Sequence, residues 1–289
     1  MRLLNRPLGR LSRHRRGPVA GLLVVLLGLM LTGGLYAAFS PASSARENDS
    51  AAQIKKGHQL FLVGCSFCHG NNGQGVKTLD GNQLGPPLVG VGAAAVDFQV
   101  GTGRMPAVQP GPQMPQKKPV YTQDEIDELA AYVASLGPGP DVPNPADYSL
   151  AGLSAEQRQE AITRGGEIFL TNCTACHNFE GSGGAMPKGG FAPKIRGVEP
   201  KYIFEAMLTG PQAMDNFSNG NLSVEEKRDV IAYLQSIQDN PEYGGFGMGG
   251  IGPVSEGMFA WIVGIGSLVG VATWIAAHTA RSSKQKAES

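Results

Sequence analysis

Cys65-Ser66-Phe67-Cys68-His69 and Cys173-Thr174-Ala175-Cys176-His177 hold all four cysteines of this 289-residue chain, 108 residues apart. The sequence around them repeats in the same order. Gly57-His58-Gln59-Leu60-Phe61 before the first motif aligns with Gly165-Gly166-Glu167-Ile168-Phe169 before the second. After the motifs, Gly85-Pro86-Pro87-Leu88-Val89-Gly90-Val91 aligns with Ala192-Pro193-Lys194-Ile195-Arg196-Gly197-Val198. Gly101-Thr102-Gly103-Arg104-Met105 then matches Gly210-Pro211-Gln212-Ala213-Met214, and Leu129–Leu136 matches Val230–Ile237. Such order makes the chain one module written twice. Gly137–Pro145, rich in Pro and Gly, separates the copies as a linker.

Each copy opens and closes on a helix. Ile126, Leu129, Ala130, Val133 and Leu136 recur every three or four residues, on one helix face. Thr122 with Glu125, and Ser223 with Glu226, have the capping-box spacing that starts such helices. Neither copy has a convincing run of period-two strands, so the expected class is all-α with long Gly/Pro loops. Those loops are too polar to build a core unaided, and a large apolar group must fill it. The divisions that follow are 1–17 (basic), 18–40 (apolar), 50–137 (first domain), 138–157 (Pro-rich linker), 158–240 (second domain), 241–256 (Gly-rich connector), 257–280 (apolar) and 281–289 (tail).

A Cys-x-x-Cys-His turn places two sulfurs at the two vinyl groups of a haem and points the next imidazole at its iron. A thioredoxin-like pair needs a βαβ context and no following His. A four-cysteine zinc site needs both pairs in one domain, and disulfides leave the repeated His without a reason. The expected cofactors are therefore two covalently bound haems c, on Cys65 and Cys68 with His69 as iron ligand, and on Cys173 and Cys176 with His177. Met is the usual sixth ligand opposite His in cytochromes c. Met105 follows His69 by 36 residues and Met214 follows His177 by 37, which sets them apart from Met114, Met186 and Met207. Met207 reads as core on a helix, and Met114 as part of an insertion peculiar to copy one. The carbonyls of Pro86 and Pro193 are candidates to hold the ligand imidazoles, unless these prolines only make turns. Phe61, Phe169, Tyr132 and Tyr233 are expected where the helices cross, with Gly57 and Gly165 allowing close approach. His58 reads as a solvated polar residue.

The ends differ from the middle. Residues 1–40 carry six arginines and no acid, whereas 41–256 carry 15 basic and 23 acidic residues, a formal charge of −8. A nucleic-acid partner is excluded for the central part, which repels phosphate. Gly17–Ala45 contains no charge, and Gly257–Ala280 none apart from His278. Each run reaches the roughly 20 residues that cross a bilayer. Ala42-Ser43-Ser44-Ala45 suits a signal peptidase, so the first run is either a retained anchor or a cleaved signal. The second has Trp261 and Trp274 near opposite ends, as interfacial aromatics. The basic flanks put both termini in the cytoplasm and 46–256 outside it.

These blocks, with Cys-x-x-Cys-His, Gly-Pro-x-Leu and a distal Met before a last helix bearing Tyr, resemble the class I cytochrome c fold over 50–137 and 158–238. The basic start, the two domains, Gly244–Gly252, Pro253 and the C-terminal apolar helix narrow this further. So do Phe98–Pro106 and Ala206–Gln212. Together they resemble the dihaem cytochrome c subunit of actinobacterial cytochrome bc complexes. The resemblance implies an all-α fold, two tandem class I cytochrome c domains flanked by transmembrane helices, in a bacterial plasma membrane. It implies a proton-translocating quinol–cytochrome c reductase with a cytochrome b subunit. The chain itself would be an electron carrier, passing electrons from a Rieske iron–sulfur protein to a terminal cytochrome c oxidase. One departure is Asp215 after Met214, where proline is common. Other roles for such a chain are the electron-accepting subunit of a periplasmic dehydrogenase and a free-standing membrane cytochrome. A haem sensor needs an open sixth position, against which the paired Met residues argue.

Overall fold

The computed structural model describes residues 17–39, 41–111, 113–186, 189–239 and 253–287. The basic start and Gly244–Gly252 lie outside the described residues, and the charge argument for an inside N-terminus with them. The described chain is helical apart from two small hairpins. Helices α1 (Pro18–Phe39) and α2 (Pro41–Gly64) lead into α3 (Ser66–His69), hairpin β1–β2 (Val76–Lys77, Gln83–Gly85), α4 (Gly92–Gly101) and α5 (Gln123–Ser135). After α6 (Pro145–Tyr148) the series recurs as α7 (Ala155–Asn172), α8 (Thr174–His177), β3–β4 (Gly184–Ala185, Phe191–Ala192), α9 (Pro200–Thr209) and α10 (Val224–Asp239). Helix α11 (Pro253–Ala287) closes the chain. The hairpins are too short to leave an alternating pattern in the sequence.

Each domain is built on one crossing of two helices. The backbone of α2 at Gly57 passes so close to α5 that a Cβ would overlap the Glu128 carbonyl; Gly165 meets Asp229 of α10 in the same way. Only glycine permits that approach. Phe61 packs on Tyr132 at 5.0 Å between ring centroids, and Phe169 on Tyr233 at 5.4 Å. The tyrosine hydroxyls donate to the carbonyls of Asn71 and Phe179, both at 3.3 Å, which ties each last helix to the loop after the motif. Even the flanking ion pairs repeat, Lys56–Glu128 and Arg164–Asp229. His58 departs from the expected solvated state, because its ring stacks on Tyr132 at 4.7 Å.

Both capping boxes are formed. Thr122 N donates to Glu125 Oε2 at 2.8 Å, and Ser223 N to Glu226 Oε2 at 2.7 Å. The segment between the domains is packed rather than free. Ala94 N donates to Pro140 O, Asn144 caps α6, and Leu150 is buried with Ala161 and Ala232 in domain two.

The pair of flanking spans is not found. Among the described residues, one helix is long and apolar enough to cross a membrane, Glu256–His278 with 23 residues. Pro18–Gly34, the apolar stretch of α1 among the described residues, does not meet that standard.

Candidate functional site

Helix α2 does not stop cleanly before the first motif. Cys65 N still donates to Phe61 O at 2.9 Å, and His69 N to Cys65 O at 3.0 Å, so the five motif residues complete one more helical turn. Gly70, at a φ of 76°, then turns the chain away. The second motif copies this, with Cys173 N to Phe169 O and His177 N to Cys173 O both at 2.9 Å. Its exit residue is Asn178 at φ 59°, one of the few non-glycine types that accept such a conformation. Burial, and then the neighbouring cysteine, push the Cys65 and Cys173 thiols up to about 11. Such thiols stay protonated at neutral pH in the free chain.

The imidazoles are fixed by proline carbonyls. His69 Nδ1 lies 2.8 Å from Pro86 O, and His177 Nδ1 lies 3.0 Å from Pro193 O. A carbonyl can only accept, so each Nδ1 carries the proton and each Nε2 keeps its lone pair for a metal. Burial holds His177 below the ordinary imidazole range despite its bond to Pro193, which favours the neutral, ligating form.

Four equivalent positions border each core. Cys65, Leu88, Val91 and Met105 pack only partly against the domain-one cluster. Cys173, Ile195, Val198 and Met214 stand in the same relation to the domain-two cluster. Each set includes one motif cysteine and one methionine, both only partly buried. The donor set fits a haem, with two thiols for its vinyl groups, an imidazole nitrogen and a thioether sulfur for its iron. Of the other methionines, Met207 is buried in the domain-two core. Met114 reaches across to the other domain, where Met114 N and O pair with the Gln212 side chain at 3.0 and 3.1 Å. Met186 sits in the β3–β4 loop against Gly190.

One cluster was not singled out from the sequence. Asp97 of α4, Lys201 and Glu205 of α9 meet where the two domains pack. Asp97 and Glu205 are fully buried. Each is the lone acid of a short apolar helix (GAAAVDFQVG and PKYIFEAMLT), the one sign available beforehand.

The cytochrome c family pattern matches residues 54–137, and that of cytochrome c oxidase, cbb3-type, subunit III matches 160–234. Such domains carry haem c. The cytochrome bc1 complex cytochrome c subunit of Mycobacterium tuberculosis is 42% identical over 273 residues, covering 94% of this chain and 95% of that protein. The corresponding subunits of Corynebacterium efficiens and Corynebacterium diphtheriae are 41% and 40% identical, covering 92% and 98% of those proteins. The similarity spans more than nine-tenths of the chain, and the chain belongs to the cytochrome c subunits of actinobacterial cytochrome bc1 complexes.

Proposed function

We propose that this subunit carries two haems c and passes electrons from a Rieske iron–sulfur protein to a terminal cytochrome c oxidase, beside a cytochrome b subunit. The observation that carries the reading is the doubling of one arrangement, thiol pair, proline-held imidazole and methionine, in two domains that pack on each other. A haem supplies a one-electron iron couple when bound. Cys65 and Cys68 hold the first covalently and Cys173 and Cys176 the second. His69 with Met105, and His177 with Met214, complete the iron coordination, and Pro86 and Pro193 keep the imidazoles oriented.

The faces beside the two cysteine pairs differ, as different partners require. Val63 and Phe67 stand exposed in domain one, where domain two has Thr171 and Ala175. Helix α11 anchors the subunit in the plasma membrane. Arg281, Lys284 and Lys286, beyond the apolar span Glu256–His278, stay in the cytoplasm and leave the haem domains outside. The N-terminus is cytoplasmic too if the leading apolar segment is retained, and N-terminal sequencing of the mature protein separates that from a cleaved leader. Extraction in mild detergent should bring down cytochrome b and a Rieske protein with this chain. Recovery with a periplasmic dehydrogenase instead, or with no partner, would overturn the assignment.

A further inference from the structure

We propose that Asp97, Lys201 and Glu205 are positioning residues that hold the two haem domains in register for electron transfer, with one proton shared between the two carboxyls. Its purpose rests on the relay proposed above; its geometry does not.

Helix α4 is buried on both sides. Val96 and Val100 face its own core, while Ala94 enters the core cluster of domain two. Phe98 meets Tyr202 edge-on at 6.3 Å. Asp97 therefore has no route to water and points at α9. Its Oδ2 pairs with Lys201 Nζ, and its Oδ1 accepts from Gln123 Nε2 at 3.1 Å. Glu205 lies against it, and neither Glu205 oxygen has a hydrogen-bond donor. Two carboxylates and one ammonium would leave an uncompensated negative charge in the interface, which is costly. One proton on Glu205 removes the charge and provides the missing donor toward Asp97. The two carboxyls then titrate as a pair.

The electrostatics agree. Burial, then the bond to Asp97 and its charge, push the Glu205 carboxyl up to about 10. Burial also acts to raise Asp97, but donors from Glu205, Lys201 and Gln123 outweigh it and hold Asp97 below its ordinary value. Lys201 and Tyr202 are the other titratable groups that reach the pair from α9. From α5 come Gln123 and, bonded to it, Asp127. Lys227 of α10 bonds to Leu222 and Asn219, and Asp147 of α6 caps its own helix.

Docking must then take up a proton at neutral pH, because a separated Glu205 ionises near 4.5. A raised carboxyl contributes fully below that value and loses its contribution as pH rises toward about 10. Acidification outside the membrane tightens the interface, until Asp97 itself is protonated far below neutrality.

Full-length holoprotein in detergent provides the test. Infrared spectra at neutral pH should contain a buried carboxylic acid band that Glu205→Gln removes and Asp97→Asn perturbs. Spin labels on Asp80→Cys and Gln159→Cys should give one narrow distance in wild type, in Glu205→Gln and in Lys201→Arg, but a broad one in Lys201→Met with both haem spectra unchanged. In urea that half-separates the domains, the docked-to-open ratio should fall up to about tenfold per pH unit above neutrality, a slope lost in Glu205→Gln. Absence of the acid band, a narrow distance in Lys201→Met, or an unchanged slope in Glu205→Gln overturns the inference. If the domains dock in this way yet electrons never reach the second haem, the relay fails and the shared proton stands.

Discussion

At the scale of single residues, the proposed iron ligands are the sharpest test. Met105 and Met214 share a place in the repeat and a partly buried place at the edge of their domain's core, whereas Met114 is engaged with Gln212 of the other domain. Replacing a thioether by imidazole lowers the potential of a haem, since His/Met ligation favours the reduced form more than His/His. Met105→His should therefore lower the potential of one centre and abolish its near-infrared Met–iron signature, leaving the other centre intact. Met214→His should do the converse. A first-centre spectrum indifferent to Met105→His but lost in Met114→His would move the ligand to the insertion. Residue chemistry was the most legible layer of the sequence, because Cys-x-x-Cys-His states its own purpose. Asp97 and Glu205 were not legible. A buried acid looks like any other acid until its partner, a hundred residues away, is in place. His58 went unread for a similar reason, since stacking on Tyr132 needs the crossing of α2 and α5 to exist first.

Among elements, the two helix crossings hold the design together. Gly57 and Gly165 leave no room for a methyl group, because the opposing atom is a backbone carbonyl that cannot rotate aside. Gly57→Ala or Gly165→Ala should cost about 3 kcal/mol or more, at the upper end for overpacking. Thermal unfolding of the holoprotein should register it, with Gly81→Ala as a control at an open site, where only the positive φ opposes the change. An exposed cap is worth less. Thr122→Ala should cost about 1 kcal/mol through loss of the bond to Glu125 N. Equal losses from all these variants would mean that the crossings do not limit stability. The closing helices were legible because their period and caps agree. The hairpins, of two or three residues per strand, were not.

For the whole molecule, the question is why one chain carries two cytochrome domains. A soluble carrier must diffuse between donor and acceptor, and charge steering of that encounter fades as salt screens fields beyond roughly 10 Å at 0.1 M. Joining two carriers replaces the encounter with a high effective concentration. The Pro-rich segment suggested a tether, yet α4 and α9 are packed face to face, with Gln113 pairing across to Phe191 and Gln212 across to Met114. That packing was illegible because it depends on tertiary contacts that no local pattern encodes. A packed interface makes the expectation stronger than a tether would. Quinol-to-oxygen turnover by the purified assembly should respond weakly to moderate salt and need no added cytochrome c. The order of transfer follows from an asymmetric variant. Cys173→Ala/Cys176→Ala should still be reduced by quinol in its first domain, as stopped-flow absorbance would record, while oxygen uptake stops. Oxygen uptake that survives this variant would mean that the first domain reaches the oxidase directly. Loss of reduction in the first domain would mean that electrons enter through the second. Only a reduced first domain with silent oxygen uptake fits a chain in which the two cytochromes act in series and electrons enter through the first.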